Sequence, residues 1–164
     1  MTSAEAVSPI HSEASAGAEK LDRAAEIISN NVKWAAAAGA VPVPLLDTVA
    51  LAVVQTKMLM DLSELYDQKL SRDAAEALVS VLLGTLLPTA ATGMLLGTTF
   101  KYAPVIGTIA GMATMAALGS AATYAVGKVF ARHLMKGGKV HEFSADAIKA
   151  ELKAEFAEAQ AKTR

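Results

Sequence analysis

The chain has 164 residues, a net charge of −1, 53% apolar and 5% aromatic residues, and no cysteine. A near-neutral chain has no bulk attraction to nucleic acid, and the lack of cysteine excludes disulfides, thiolate catalysis and zinc–thiolate sites. The apolar mass is Ala, Leu, Val and Met, the palette of an all-α protein.

Residues 1–17 are rich in Ser, Ala, Glu and Pro and lack a basic stretch followed by an apolar one. They read as a disordered tail rather than a secretory signal. A helix is expected from about Glu19, with Leu21, Ala25, Ile28 and Val32 on one face. The segment Gly39–Pro44 interrupts it, because Pro42 and Pro44 each lack a backbone donor and push the preceding residue toward an extended shape. A second helix is expected from near Leu45 to about Leu70. Asp47 would fall in its first turn, where a carboxylate meets unsatisfied amides and the favourable end of the dipole. Gln55 marks where this helix turns amphipathic. Pro42, Pro44, Asp47 and Gln55 are candidates for setting the start of the helix or for contacting a partner.

Ser71 is a plausible N-cap for a third helix, with Asp73 in its first turn. From there the composition changes. Ala77–Phe100 carries no charge, and after Lys101 neither does Tyr102–Gly127. Each run exceeds the roughly 20 apolar residues that cross a bilayer. The pattern predicts a central Gly/Ala-rich helical hairpin embedded in a membrane, kinked at Pro88. Gly93 and Gly97, and Gly107 and Gly111, stand four apart, a spacing that lets helices pack closely and points to a homo-oligomer. A soluble bundle with a very apolar hairpin is the competing architecture.

The chain leaves the second run through Lys128, Arg132, Lys136 and Lys139 with no acid among them. Excess Lys and Arg beside a span marks the cytoplasmic side, so both termini are expected to face the cytoplasm. Lys128, Arg132 and Lys136 would contact anionic headgroups or an acidic partner. A last amphipathic helix is expected from about Ser144 to Ala161, with Ile148, Leu152, Phe156 and Ala159 as its stripe. The expected organisation is a tail over 1–17, a membrane-associated helical domain over 18–140 and a C-terminal helix with its tail over 141–164.

His11, His133 and His141 lack dense ligand spacing, so no metal is expected. No phosphate loop, nucleophile elbow or zinc-protease motif occurs, so neither a cofactor nor catalysis is expected. Ser80 and Ser120 read as packing residues that bond back into their own helices.

The stretch "AAAAGAVPVPLLDTVALAVVQTKMLMDLSELYDQKLS", followed by the Gly- and Ala-rich apolar hairpin, resembles the YcjF-like bacterial family (domain of unknown function 697). Pro42, Pro44, Asp47, Gln55, Met58 and the Tyr66 region carry the resemblance, which covers about Ala35 to Lys139. It implies a helical, membrane-associated module, often fused to or encoded beside small GTPases. This chain carries no GTPase of its own, and it lacks the glycine that the resemblance implies just after Tyr66. The expected function is a non-enzymatic membrane-bound adaptor or scaffold in the cytoplasmic membrane, serving a separate GTPase. The alternative is a soluble helical binding module whose apolar groove takes lipid or a partner helix.

Overall fold

The computed structural model describes residues 9–39, 46–95 and 104–162. Among them are α1 (Pro9–Gly39), α2 (Leu46–Leu65), α3 (Arg72–Leu95), α4 (Pro104–Met135), a 3-10 turn (Val140–Glu142) and α5 (Ala145–Lys162). The chain is all-α.

Glycines on α4 set the helix register. A Cβ on Gly127 would lie 2.9 Å from Ile28 Cγ1 and from Met58 Sδ, so only glycine lets α4 come this close to α1 and α2. One level away, Gly119 faces Ala35 and Leu51. Passing from Gly127 to Gly119 therefore means rising along α1 and retracing α2. Helix α4 is antiparallel to α1 and parallel to α2. It begins 15 residues before Gly119, whereas α1 ends 4 residues after Ala35 and α2 begins 5 residues before Leu51. At 1.5 Å per residue, α4 continues about 15 Å beyond both.

The core fills the other part of the bundle. Met58, Leu59, Leu62, Val79, Leu82, Val126, Val129, Phe130, Leu152 and Phe156 are fully buried in one cluster. Phe130 meets Phe143 edge to face at 5.0 Å. The stripe on α5 does what its spacing predicts: Leu152, Phe156 and Ala159 are buried and Ile148 is half-buried against the same core. Ser80, Thr85, Ser120 and Thr123 each donate to the carbonyl one turn earlier, so these hydroxyls are satisfied locally.

Helices α2 and α4 end in the same way, and their ends are tied together. At α2, Gln68 N–H bonds Ser63 O and Asp67 N–H bonds Glu64 O, with Asp67 at φ 58°. At α4, Gly138 N–H bonds His133 O and Gly137 N–H bonds Leu134 O, with Gly137 at φ 82°. Both are six-to-one closures around a left-handed residue, which saturate the last carbonyls of a helix. The Gln68 side chain joins them: its Nε2 donates to Gly138 O and its Oε1 accepts from Val140 N–H, each at 2.8 Å. We call this end the base.

Three expectations change. Helix α1 begins at Pro9, so it takes in half of the stretch read as a disordered tail. Residues 13–19 are exposed, and no apolar periodicity advertised them. Helix α2 ends at Leu65 rather than Leu70, because Asp67 turns left-handed. The largest change concerns the hairpin. Among the described residues, no helix is long and apolar enough to cross a membrane. Helix α3 opens on Arg72, Asp73 and Glu76, and its apolar part is diluted by Ala, Gly and Thr. The second half of α4 is enclosed by protein: Ala121, Ala122, Ala125, Val126, Val129 and Phe130 are buried by α1, α2 and α5. The neighbours that a helix apolar on every side requires are present.

Candidate functional site

The described residues separate charge by level. On α1 no charge follows Lys33, on α3 none follows Glu76, and on α4 none precedes Lys128. On α2 the stretch before Lys57 carries only Asp47. Lys101 lies outside the described residues. The end opposite the base is thus nearly free of charge, and it presents large apolar side chains to solvent. Trp34 is 68% exposed, Val49 60%, Val53 52% and Met115 41%. They come from three helices and fall within about six residues along the axis, roughly 9 Å, around the level where Ala35 meets Gly119. Exposed apolar residues scattered singly need no explanation, but a group that shares an end without charges marks a contact surface. Leu21, Val81 and Met135, also exposed, lie nearer the base.

The middle of the bundle carries a charged clamp. Arg132 on α4 donates to Glu151 and, at 2.8 Å, to Glu155 on α5. Lys128 lies 2.7 Å from the other Glu155 oxygen and 5.4 Å from the Tyr124 ring centre. Burial pushes the Glu155 carboxyl up, but hydrogen bonds from Lys128 and Arg132 outweigh it and hold the carboxyl below its ordinary range. The same bonds raise Lys128 and Arg132 above their ordinary values. All three groups are therefore charged at neutral pH. Two of the three cations expected to meet headgroups or an acidic partner, Lys128 and Arg132, meet acids within the chain.

The other candidates are spread widely. Pro42, Pro44 and Gly97 lie outside the described residues. Asp47 is the second residue of α2, in its first turn. Gly93 is in α3, and Gly107 and Gly111 are in the first turns of α4. Gln55 is fully buried, and its Nε2 lies 3.4 Å from Thr123 Oγ1 across the α2–α4 contact. Its Oε1 has no protein partner. Lys136 is exposed just past the end of α4. His133 Nε2 lies 3.0 Å from Lys139 O, and its ring packs on Phe143 at 5.2 Å, so this histidine braces the base. No three metal-ligating side chains gather among the described residues.

Sequence reasoning missed Gln68, Glu151, Glu155 and Gly127. Only Gly127 carried a readable signal: it follows Gly119 by eight residues, on the same helix face.

A protein-family model described as a domain of unknown function (DUF697) matches residues 11–161. Magnetosome membrane protein 22 of Magnetospirillum gryphiswaldense is 33% identical over 138 residues, covering 84% of this chain and 71% of that protein. No solved structure matches.

Proposed function

The chain belongs to the DUF697 family, and on that premise we propose that it is a non-enzymatic, membrane-associated adaptor or scaffold that seats its charge-free end in a lipid bilayer. One observation carries this reading: Trp34, Val49, Val53 and Met115 are exposed at the end where charges are lacking. Each such side chain gains roughly 1 kcal/mol or more when its exposed part leaves water. The extension of α4 by about 15 Å is half the thickness of the hydrocarbon layer, so it supports insertion without crossing. The kinship with a protein named for a membrane is consistent with this. The base, with Lys136 and Lys139, would then face the cytoplasm, and both chain termini would lie on that side.

Trp34 is the only tryptophan, so it reports the event directly. On adding phospholipid vesicles its emission should shift to the blue and be quenched by brominated acyl chains. An unchanged spectrum, with the chain left in the supernatant, would sink the membrane reading. Two partners follow as proposals. Self-association would use Gly93, Gly97, Gly107 and Gly111, and a separate GTPase would dock on the charged end. Cross-linking on vesicles tests both: a Gly93→Leu plus Gly107→Leu variant should lose the dimer band, and the GTPase should be retained only where the chain is bound. A persistent dimer band would remove the packing role, and retention of the GTPase without the chain would remove the docking role.

A second reading has its own observation. A cleft of about 420 Å³ between α1 and α4 is lined by Leu21, Ala24, Ile28, Val32, Tyr124 and Met135. It favours a helical binding module that takes an acyl chain or a partner helix. Saturable binding of a fluorescent fatty acid, abolished by Ile28→Trp, would support it over the first.

A further inference from the structure

The boundary between the charge-free end and the charged remainder has a definite composition. Moving toward the charge-free end, the last charge before the apolar stretch is Lys33 on α1, Glu76 on α3 and Lys128 on α4, and the last described residue of α5 is Lys162. On α2 it is Lys57, with Asp47 alone beyond it. Four of the five helices thus present lysine near this boundary, and α3 presents Glu76. The register places the four lysines together. Lys33 lies between the level where Ala35 meets Gly119 and the level where Ile28 meets Gly127. Lys57 adjoins Met58 at the second level. Lys128 follows Gly127 directly, and Lys162 lies close enough to Tyr124 and Lys128 to feel both. The four fall within about seven residues along the bundle axis, roughly 10 Å.

Their acidic partners are ordered as well. Lys57 pairs with Asp61 and Lys162 with Glu158, each one turn further from the charge-free end. Lys128 pairs with Glu155 at its own level. On α2 and α5 positive charge therefore leads and negative charge follows, whereas on α3 Glu76 leads Arg72. Lysine suits this place because its long apolar stem can lie along a hydrocarbon surface while its ammonium reaches the polar layer.

We infer that Lys33, Lys57, Lys128 and Lys162 form a collar that binds the headgroups of anionic phospholipids and sets the depth to which the charge-free end enters. This rests on the membrane seating proposed above and adds to it the lipid class and the limit of insertion. Lys33, Lys57 and Lys162 are exposed, and Lys128 is partly so. Their ammonium groups reach solvent without unfolding, and each lysine near an anionic surface adds roughly fivefold to affinity.

The test compares the full chain with a Lys33→Gln, Lys57→Gln, Lys162→Gln variant, leaving Lys128 in its clamp. Binding to vesicles of phosphatidylcholine alone, and of phosphatidylcholine with phosphatidylglycerol, is followed by co-flotation and Trp34 emission. The unaltered chain should prefer the anionic vesicles, and high salt should remove the preference. The variant, with helicity unchanged by circular dichroism, should lose on the order of tenfold to a hundredfold in anionic-vesicle affinity while keeping its affinity for neutral vesicles. A variant that retains the anionic preference overturns the collar. Equal binding of the unaltered chain to both vesicles also overturns it and leaves the membrane seating intact. Binding to neither vesicle defeats the seating itself. Because salt dependence is read on the unaltered chain, the collar stays testable if the variant fails to fold.

Discussion

At the base, Gln68 joins two helix ends and Phe130 meets Phe143, and above it the Glu155 clamp in the middle of the bundle holds α5 against α4. At the opposite end, Trp34, Val49, Val53 and Met115 face outward. Both regions are built from helices rich in Ala, Leu and Val. They differ in what covers the apolar side chains. At the base, other helices cover them, and stability belongs to the folded chain alone. At the far end some of them remain open to solvent. Hydropathy measures how apolar a segment is, not which of these two environments receives it.

The comparison predicts that changes near the base act on stability and spare the Trp34 response to vesicles. The largest effect should come from Phe156→Ala, which opens a cavity where α5 meets the core. A loss of about 3–5 kcal/mol is expected by urea unfolding. A loss below about 1 kcal/mol, typical of surface changes, would mean that α5 is an appendage of the bundle and not part of its core.

Next comes Glu155→Gln, which removes the anion between Lys128 and Arg132. Both cations are about a third exposed, so the cost should be near 1–2 kcal/mol, below that of breaking a fully buried pair. The clamp also predicts a direction with pH. The Glu155 carboxyl titrates lower in the folded chain than in the unfolded one. Its contribution is therefore full above the unfolded value of roughly 4.3 and is lost as pH falls through the lower folded value. Unfolding curves of Glu155→Gln should lack that part of the acid decline. Identical acid limbs in both proteins would refute the clamp's role.

The smallest effect is expected at the α2 terminus. Asp67 holds φ 58°, a conformation that costs residues with a Cβ, and its exposed ion pair with Lys20 is worth little. Asp67→Gly should stabilise by about 0.5 kcal/mol, read as a shift in the urea midpoint. A clear destabilisation would show that the Lys20 pair matters more than the backbone.

Much of this fold is legible in the sequence. The i, i+4, i+8, i+11 spacing of Ile148, Leu152, Phe156 and Ala159 marks the buried face of α5, and Ser71 marks the start of α3, where it accepts from Ala74 N–H and Ala75 N–H. The family was readable from the Pro42-to-Tyr66 stretch, and the match extends well beyond it on both sides. Other features left no local trace. An unbroken apolar run on α4 has no polar face from which to judge its surroundings, so its enclosure by α1, α2 and α5 was hidden. Glu151 and Glu155 reach Arg132 from 19 and 23 residues away, and no periodicity links them. Residues 13–19 of α1 are exposed, and a stretch that buries nothing has no stripe. Asp67 stands where the family resemblance implies a glycine, and its left-handed backbone gives the physical reason for that expectation.

The tie at Gln68 has a consequence for how this protein could vary. By fixing Gly138 and Val140 to the end of α2, it closes the intervening chain into a loop anchored at its root. The root registers the core, while the length of the loop is under no such constraint. Closing a longer loop costs little, about 0.6 kcal/mol for each doubling. Matched insertions of seven residues in α3 and α4 would extend the reach by about 10 Å without altering which side chains face the core. Reach and foundation are separable quantities in this architecture, so the far end could be lengthened or shortened while the register of the core stays untouched.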